Sequence, residues 1–264
     1  MATVTCRIPA ATLGQDTTVE MVLPPPGDTP PPVLYLLHGL SDDQSGWTRR
    51  TSIERYAIAR GLVVVMPCGG RSFYCNMTDG TRYWDFVSEE LPAFVERTFH
   101  VATGRASTFV AGLSMGGYGA LKLAFHHPER YAAAAALSGA FFEEWLQQNH
   151  PALYAADFPE TPVFRGSPHD PCVWANELLK GGNERPALFL ATGTEDWLHT
   201  QSVELHEYLN KIGYSHQWIS APGNHDWLFW DTQIQAVLDW LPLKHCDNPP
   251  RKIIPYSQFL IPNF

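Results

Sequence analysis

The sequence predicts an α/β protein: a central, mostly parallel sheet with helices on both faces. Three observations carry this reading. Apolar runs without alternation, such as Val33-Leu34-Tyr35-Leu36-Leu37 and Leu62-Val63-Val64-Val65-Met66, read as strands covered on both sides. Between such runs lie segments whose apolar residues recur at helical spacing. At 264 residues and 29.6 kDa, folding removes about three-quarters of the unfolded chain's surface from water. One large core therefore needs no staple, and residues 1–264 read as a single domain.

The elements follow in order. Val4 to Pro9 and Thr17 to Leu23 alternate like strands and are most simply an antiparallel pair at one sheet edge. The prolines from Pro24 to Pro32 make a stiff connector, too short to join domains. Val33 to His38 is a buried strand, and Gly39 to Gly46 a polar loop. Trp47 to Arg60 is expected as one helix, with Ile53, Tyr56 and Ala57 at helical spacing and Gly61 as its C-terminal cap. Leu62 to Met66 is a strand, Pro67 to Trp84 a long aromatic loop, and Phe86 to Phe99 a helix. Pro92 lies in the first turn of that helix or at a kink. Ser107 to Ala111 is the next strand, and Ala120 to His126 the helix after it, ended by Pro128. Tyr131 to Leu137, Ala187 to Ala191 and His216 to Ser220 supply further strands. Helices lie around Val203 to Ile212 and from Trp227 to Leu241; the second places Trp230, Ile234, Val237, Leu238 and Leu241 on one face. Residues 140–185 break the alternation, with little periodicity. They read as a small insertion, between the strands near 131–137 and 187–191, over the end of the sheet where loops build pockets. An ordinary surface excursion is the other reading.

A formal charge of −9 and a pI near 5.6 argue against nucleic acid or an anionic membrane as a partner. Cys6, Cys68, Cys75, Cys172 and Cys246 are odd in number and scattered, so neither a disulfide framework nor a zinc spacing is expected. No metal and no cofactor is expected. Met1 to Leu23 lacks the basic start and apolar run of a leader peptide, and no window has the apolar length of a membrane span. Cytoplasmic is the default location.

The chemistry centres on Val110-Ala111-Gly112-Leu113-Ser114-Met115-Gly116-Gly117-Tyr118-Gly119. Ser114 sits in a Gly-x-Ser-x-Gly pattern at a strand-to-helix junction, where Gly112 and Gly116 permit close backbone approach. Such a turn lifts a serine hydroxyl above the sheet at a helix N-terminus. A chance match to the pattern would seldom also fall between a strand and a helix. The hydroxyl is a weak nucleophile and needs a histidine base, itself oriented by a carboxylate. With this turn the chain order is serine, acid, histidine. His38 and His100 precede Ser114, and His126 and His127 end the helix after it, pointing away from the turn. His225 alone follows the last strand on a short loop, Ala221 to Trp227. Asp196, in Thr192-Gly193-Thr194-Glu195-Asp196, follows the strand Ala187 to Ala191 and is favoured as the acid. Glu195, Asp226 and Asp170 are its weaker rivals. The oxyanion formed on an ester needs two backbone N–H donors, for which Met115 and Leu40 are the candidates. His38 reads as a structural hydrogen-bonder rather than a second base.

With these residues placed, the chain resembles the esterase D group of α/β-hydrolases, most closely its tributyrin-esterase branch. The matching pieces are Leu37-His38-Gly39-Leu40 with Gly46-Trp47 and Ser52-Ile53-Glu54-Arg55, then Glu89-Glu90-Leu91-Pro92 and Gly112 to Ala120. Gly193-Thr194-Glu195-Asp196 and Pro222 to Trp227 complete the set, which spans roughly Pro32 to Pro242. The resemblance implies the α/β-hydrolase fold and hydrolysis of short-chain acyl esters, acetyl to butyryl, by Ser114, Asp196 and His225 without a cofactor. S-formylglutathione hydrolases of the same wider group carry Thr-Cys after His-Gly-Leu, where this chain has Ser41-Asp42. That departure favours a carboxylesterase, including acetyl-sugar or feruloyl esters, over a thioesterase. Residues 245–264 lie outside the resemblance and pack on the body or on another subunit of a homo-oligomer.

The expected partner is a small-molecule ester. Trp47, Tyr83, Trp84 and Trp227, with Phe73 and Tyr74, are candidates to crowd the pocket toward short acyl groups; for each, a place in the core is the competing reading. Activity is expected to rise with pH through about 6–7, as the base becomes neutral. A non-catalytic binding module on the same fold is the alternative from another class.

Overall fold

The computed structural model describes residues 2–142, 165–182 and 184–243. Eight strands form one sheet: β1 (Ala2–Ala10), β2 (Gln15–Leu23), β3 (Val33–Leu37), β4 (Val63–Pro67), β5 (Thr108–Leu113), β6 (Ala133–Leu137), β7 (Ala187–Gly193) and β8 (His216–Ala221). Their order is β1-β2-β4-β3-β5-β6-β7-β8. The pairs β1–β2 and β2–β4 are antiparallel and all others parallel. The first two strands thus form the expected edge pair.

The described helices are α1 (Gly46–Arg50), α2 (Ile53–Ala59), α3 (Tyr83–Asp85), α4 (Leu91–Thr98), α5 (Met115–His126), α6 (Pro171–Gly181), α7 (His199–Lys211) and α8 (Trp227–Trp240). Strand side chains alternate between two cores, as their period of two requires. Val33, Tyr35 and Leu37 join Tyr118, Leu121, Leu91, Trp174 and Leu205 on the face covered by α4 to α7. Leu34 and Leu36 join Trp47, Ile53, Trp230 and Ile234 on the face covered by α1, α2 and α8. Both faces being covered explains why these strands read as unbroken apolar runs.

Three expectations need correction. The helix expected over Trp47 to Arg60 is two helices, broken where Thr51 turns extended at φ −134°, ψ 174°. Asp231 on α8 accepts the Ser52 N–H at 3.2 Å, and Thr51 Oγ1 accepts the Ile53 N–H at 3.1 Å, so the break leaves these donors satisfied. Gly61, at φ 62°, follows α2 as expected; its N–H and that of Leu62 close the helix onto Ile58 O and Ala57 O. Next, the helix expected from Phe86 begins at Tyr83 and passes through a π-helical turn, Phe86–Glu90, with Pro92 in the first turn of α4. Pro92 has no N–H to give the Ser88 carbonyl. Arg130 from beyond α5 donates to that carbonyl instead. Last, residues 140–185 contain a regular helix, α6, whose Trp174 packs on Tyr118, Phe125 and His126 of α5. Its part over 165–182 therefore completes a β6–α6–β7 crossover. Residues 143–164 and 183 of that stretch, the tail 245–264 and Cys246 lie outside the described residues.

His169, just ahead of α6, is pushed down to about 4 by burial and by the charge of Lys122, against an ordinary 6.5. Below 6.5 the unfolded chain takes up a proton that the folded one refuses until about pH 4. Stability is therefore lost as pH falls through that window. The Tm is expected to drop on acidification from pH 6.5 to 4, less steeply in His169→Gln; an equal slope in both would refute the assignment to His169.

The parallel register brings four loops to one end of the sheet: Gly39-Leu40 after β3, Ser114 after β5, Asp196 after β7 and His225 after β8.

Candidate active site

Ser114 joins β5 to α5 with φ 52° and ψ −120°, a backbone conformation that side chains rarely adopt. The turn is held by Ser114 N–H donating to Leu137 O at 2.9 Å. A Cβ on Gly112 would lie 2.2 Å from Gly116 O, and one on Gly116 would lie 2.4 Å from Leu37 O. Both glycines are therefore fixed by contact between backbones. The strain is the geometric condition for lifting the hydroxyl clear of the sheet.

His225 Nε2 lies 3.0 Å from Ser114 Oγ. Its Nδ1 lies 3.0 Å from each oxygen of Asp196. A carboxylate can only accept, so the pattern assigns the proton to Nδ1 and leaves Nε2 free to accept from the serine. The Asp196 side chain is fully buried. Burial alone would raise its carboxyl, but hydrogen bonds from His225, from Ser138 and from the Leu198 N–H hold it below the usual carboxylate range. The His225 ring sits between Trp197 at 5.1 Å and Trp230 edge-on at 4.9 Å. The loops carrying Asp196 and His225 are joined directly: Thr194 N–H donates to Ala221 O at 2.9 Å and Glu195 N–H to Gly223 O at 3.0 Å.

The rivals of Asp196 serve elsewhere. Glu195 accepts the Gly223 N–H at 2.7 Å from an exposed position. Asp226 caps α8 through the Phe229 N–H at 3.0 Å. Asp170 caps α6, accepting from the N–H of Cys172 at 2.7 Å and of Gly166 at 2.6 Å. His38 is buried and neutral, since burial lowers its pKa; its Nε2 accepts the Gly69 N–H at 2.8 Å and its Nδ1 meets Gly39 O at 2.7 Å. Leu40 follows β3 directly after Gly39, and the point a Cβ would occupy on Gly39 is 3.5 Å from Ser114 Cβ. Met115 opens α5, where its N–H belongs to the first turn and has no intrahelical acceptor.

Two aromatic expectations are overturned. Trp47 is 0% exposed, a core residue whose Nε1 donates to Leu37 O at 3.1 Å. Trp84 packs on His126 and His127 at the far end of α5, about 18 Å along the helix from Ser114. Phe73 and Tyr74 are likewise buried in the core. Trp227 is half-buried, edge-on to Trp47 at 5.2 Å and to Trp230 at 5.3 Å, and so one ring removed from His225. Tyr83 is half-buried against Gly70, in the loop after β4.

Ser138 was not singled out from the sequence. It follows Leu137 at the end of β6, beside β5, at φ 50° and 0% exposure. Its Oγ accepts from Trp230 Nε1 at 3.1 Å and donates to Asp196. The only local signal is a small polar residue closing an alanine strand. Ser138→Ala strands the Trp230 N–H and removes a donor to Asp196. It is expected to lower stability by about 1–3 kcal/mol, measured by urea unfolding; an unchanged midpoint would refute the role.

Residues 10–241 match the family described as "Putative esterase". The chain belongs to this esterase family. The esterase is 28% identical to the acetyl esterase of Caldicellulosiruptor saccharolyticus over 218 residues, covering 79% of this chain and 82% of that protein. Its fold is similar to FphF, a fluorophosphonate-binding serine hydrolase of Staphylococcus aureus, with TM-score 0.84 and 30% identity over 92% of this chain and 99% of that one. S-formylglutathione hydrolase (FrmB) from Staphylococcus aureus matches with TM-score 0.82 and 30% identity, covering 91% and 98% of the two chains. The fold is thus the α/β-hydrolase fold, and the protein is a carboxylesterase that cleaves esters as a serine hydrolase. Among the described residues no helix is long and apolar enough to cross a membrane, and no cluster of three or more His, Cys, Asp or Glu is placed to hold a metal.

Proposed function

We propose that this esterase hydrolyses short-chain acyl esters, acetyl to butyryl, with Ser114 as nucleophile, His225 as base and Asp196 as orienting acid. Ser114 Oγ attacks the ester carbonyl while His225 Nε2 takes its proton. Asp196 holds the imidazole in the required tautomer and stabilises the imidazolium. The backbone N–H groups of Leu40 and Met115 receive the oxyanion. His225 then returns the proton to the departing alcohol, and water repeats the sequence on the acyl-enzyme. The observation that carries this reading is the relay in which both links to His225 measure 3.0 Å.

Short acyl groups are favoured by the rings packed beside the base: Trp230 lies edge-on to His225 at 4.9 Å and Trp227 edge-on to Trp230 at 5.3 Å. The motifs Leu37 to Leu40, Gly112 to Ala120 and Pro222 to Trp227 support membership of the tributyrin-esterase branch. Rates on p-nitrophenyl esters from acetate to laurate are expected to peak by butyrate, with a fluorophosphonate probe labelling Ser114. A maximum at laurate would defeat the short-chain reading, and an unlabelled Ser114 the mechanism.

The likeness to S-formylglutathione hydrolase favours a thioester as the second reading. Against it stands Asp42, whose Oδ2 lies 3.7 Å from the Cβ point of Gly39, a point itself 3.5 Å from Ser114 Cβ. A carboxylate there repels an anionic thioester such as S-formylglutathione. Comparing that thioester with p-nitrophenyl acetate decides between the two.

A further inference from the structure

Lys122 lies on α5 at 6% exposure, and no carboxylate among the described residues is within ion-pair distance of it. Its Nζ instead meets Cys75 Sγ at 2.9 Å, donates to Tyr74 O at 3.2 Å and sits 4.5 Å from the centre of the Trp84 ring. A buried ammonium is costly without a compensating partner, which here is a sulfur, a carbonyl and an indole face. Cys75 is 1% exposed, and its Sγ is also 3.4 Å from Phe73 O.

The surrounding backbone is under strain. Phe73 and Tyr74, the two residues before Cys75, hold φ of 49° and 51°. Tyr74 Oη donates to His38 O at 3.0 Å, two residues ahead of Leu40. An unbroken set of contacts therefore runs from the amine and the sulfur through Tyr74 to the loop after β3.

We infer that Cys75 and Lys122 form an oxidation site, at which hydrogen peroxide joins the two side chains covalently and lowers esterase activity. The sulfur attacks one peroxide oxygen and the O–O bond breaks. Sulfur keeps a hydroxyl as sulfenic acid, and one water leaves with the thiol hydrogen. Nζ, having released its extra proton to solvent, then attacks the sulfur. The N–S bond forms as the S–O bond breaks, and a second water carries off the hydroxyl with one amine hydrogen. Sulfur loses two electrons, peroxide gains them, and the protein loses two hydrogens. Burial keeps bulky thiols from the sulfenic acid, while Nζ is already in contact. Drawing that contact to bonding length pulls Cys75 toward α5 and disturbs the Tyr74 contact that supports the Leu40 loop.

The test treats the full chain with hydrogen peroxide, digests it and reads peptide masses. A linked pair of peptides carrying residues 75 and 122 is expected, about 2 Da lighter than their sum and separated again by dithiothreitol. It is absent from Cys75→Ala and from Lys122→Arg. Activity on p-nitrophenyl acetate falls by about tenfold or more in step with the link, toward the scale of a displaced oxyanion donor. Recovery of Cys75 unmodified, as sulfinic acid, or in a disulfide with Cys68 overturns the site. A link that leaves activity intact overturns its control of the enzyme. The mass readout is independent of the catalytic roles proposed above, whereas the activity readout rests on them, so the two failures are told apart.

Discussion

Ser114→Ala is expected to reduce kcat/KM on p-nitrophenyl acetate by about 10⁴-fold or more, with binding of a product carboxylate retained. The substitution removes one oxygen and nothing else. His225 keeps both contacts to Asp196, and the backbone turn is held by Leu137 O and by the approach of Gly112 to Gly116, none of which involves the hydroxyl. The loss is therefore confined to covalent catalysis, leaving the residual help of backbone donors and substrate binding. Equal rates for the two proteins would mean that another group attacks the ester. A fall in Tm matching the fall in rate would mean that the hydroxyl serves the fold.

Asp196→Asn is expected to cost about 10⁴-fold in kcat, the effect of trapping the wrong histidine tautomer. Leu198 N–H and Ser138 Oγ both donate to the carboxylate, so the amide oxygen of an asparagine would face them and its NH₂ would face His225. Nδ1 would then have to accept, which places the ring proton on Nε2, against Ser114. A base already carrying its proton cannot take another. Glu195→Gln, by contrast, keeps an acceptor for the Gly223 N–H and is expected to change kcat by no more than about twofold, as an exposed site without a reacting partner. Steady-state kinetics on the pair decides which of two adjacent acids orients the base; a larger loss at Glu195 would reverse the assignment.

That Ser114, Asp196 and His225 would meet in space was legible in the sequence because each sits at a local landmark: a glycine-flanked junction, the end of an apolar run, a short loop after the last strand. The alternation of strands and helices is local too, which is why the sheet and its two covered faces could be anticipated. What escaped depends on contacts distant in sequence. The break between α1 and α2 is stabilised by Asp231, and the π-helical turn before Pro92 by Arg130. Trp47, Trp84 and Trp227 are alike as letters, and only the packing of α1, α5 and α8 separates a core residue, a remote one and one that reaches His225 through Trp230. Ser138 gains its importance from Trp230 and Asp196, far along the chain, and so carried no signal of its own.

The direct backbone joint between the turn after β7 and the turn after β8 has a mechanical meaning. Carboxylate and imidazole are delivered by neighbouring strands at one margin of the sheet, whereas the hydroxyl comes from β5, nearer its middle. A breathing motion of that margin would carry His225 and Asp196 away together, as one rigid hand. The imidazole would thus keep the Nδ1 proton that its contact with Asp196 assigns, even while parted from the hydroxyl.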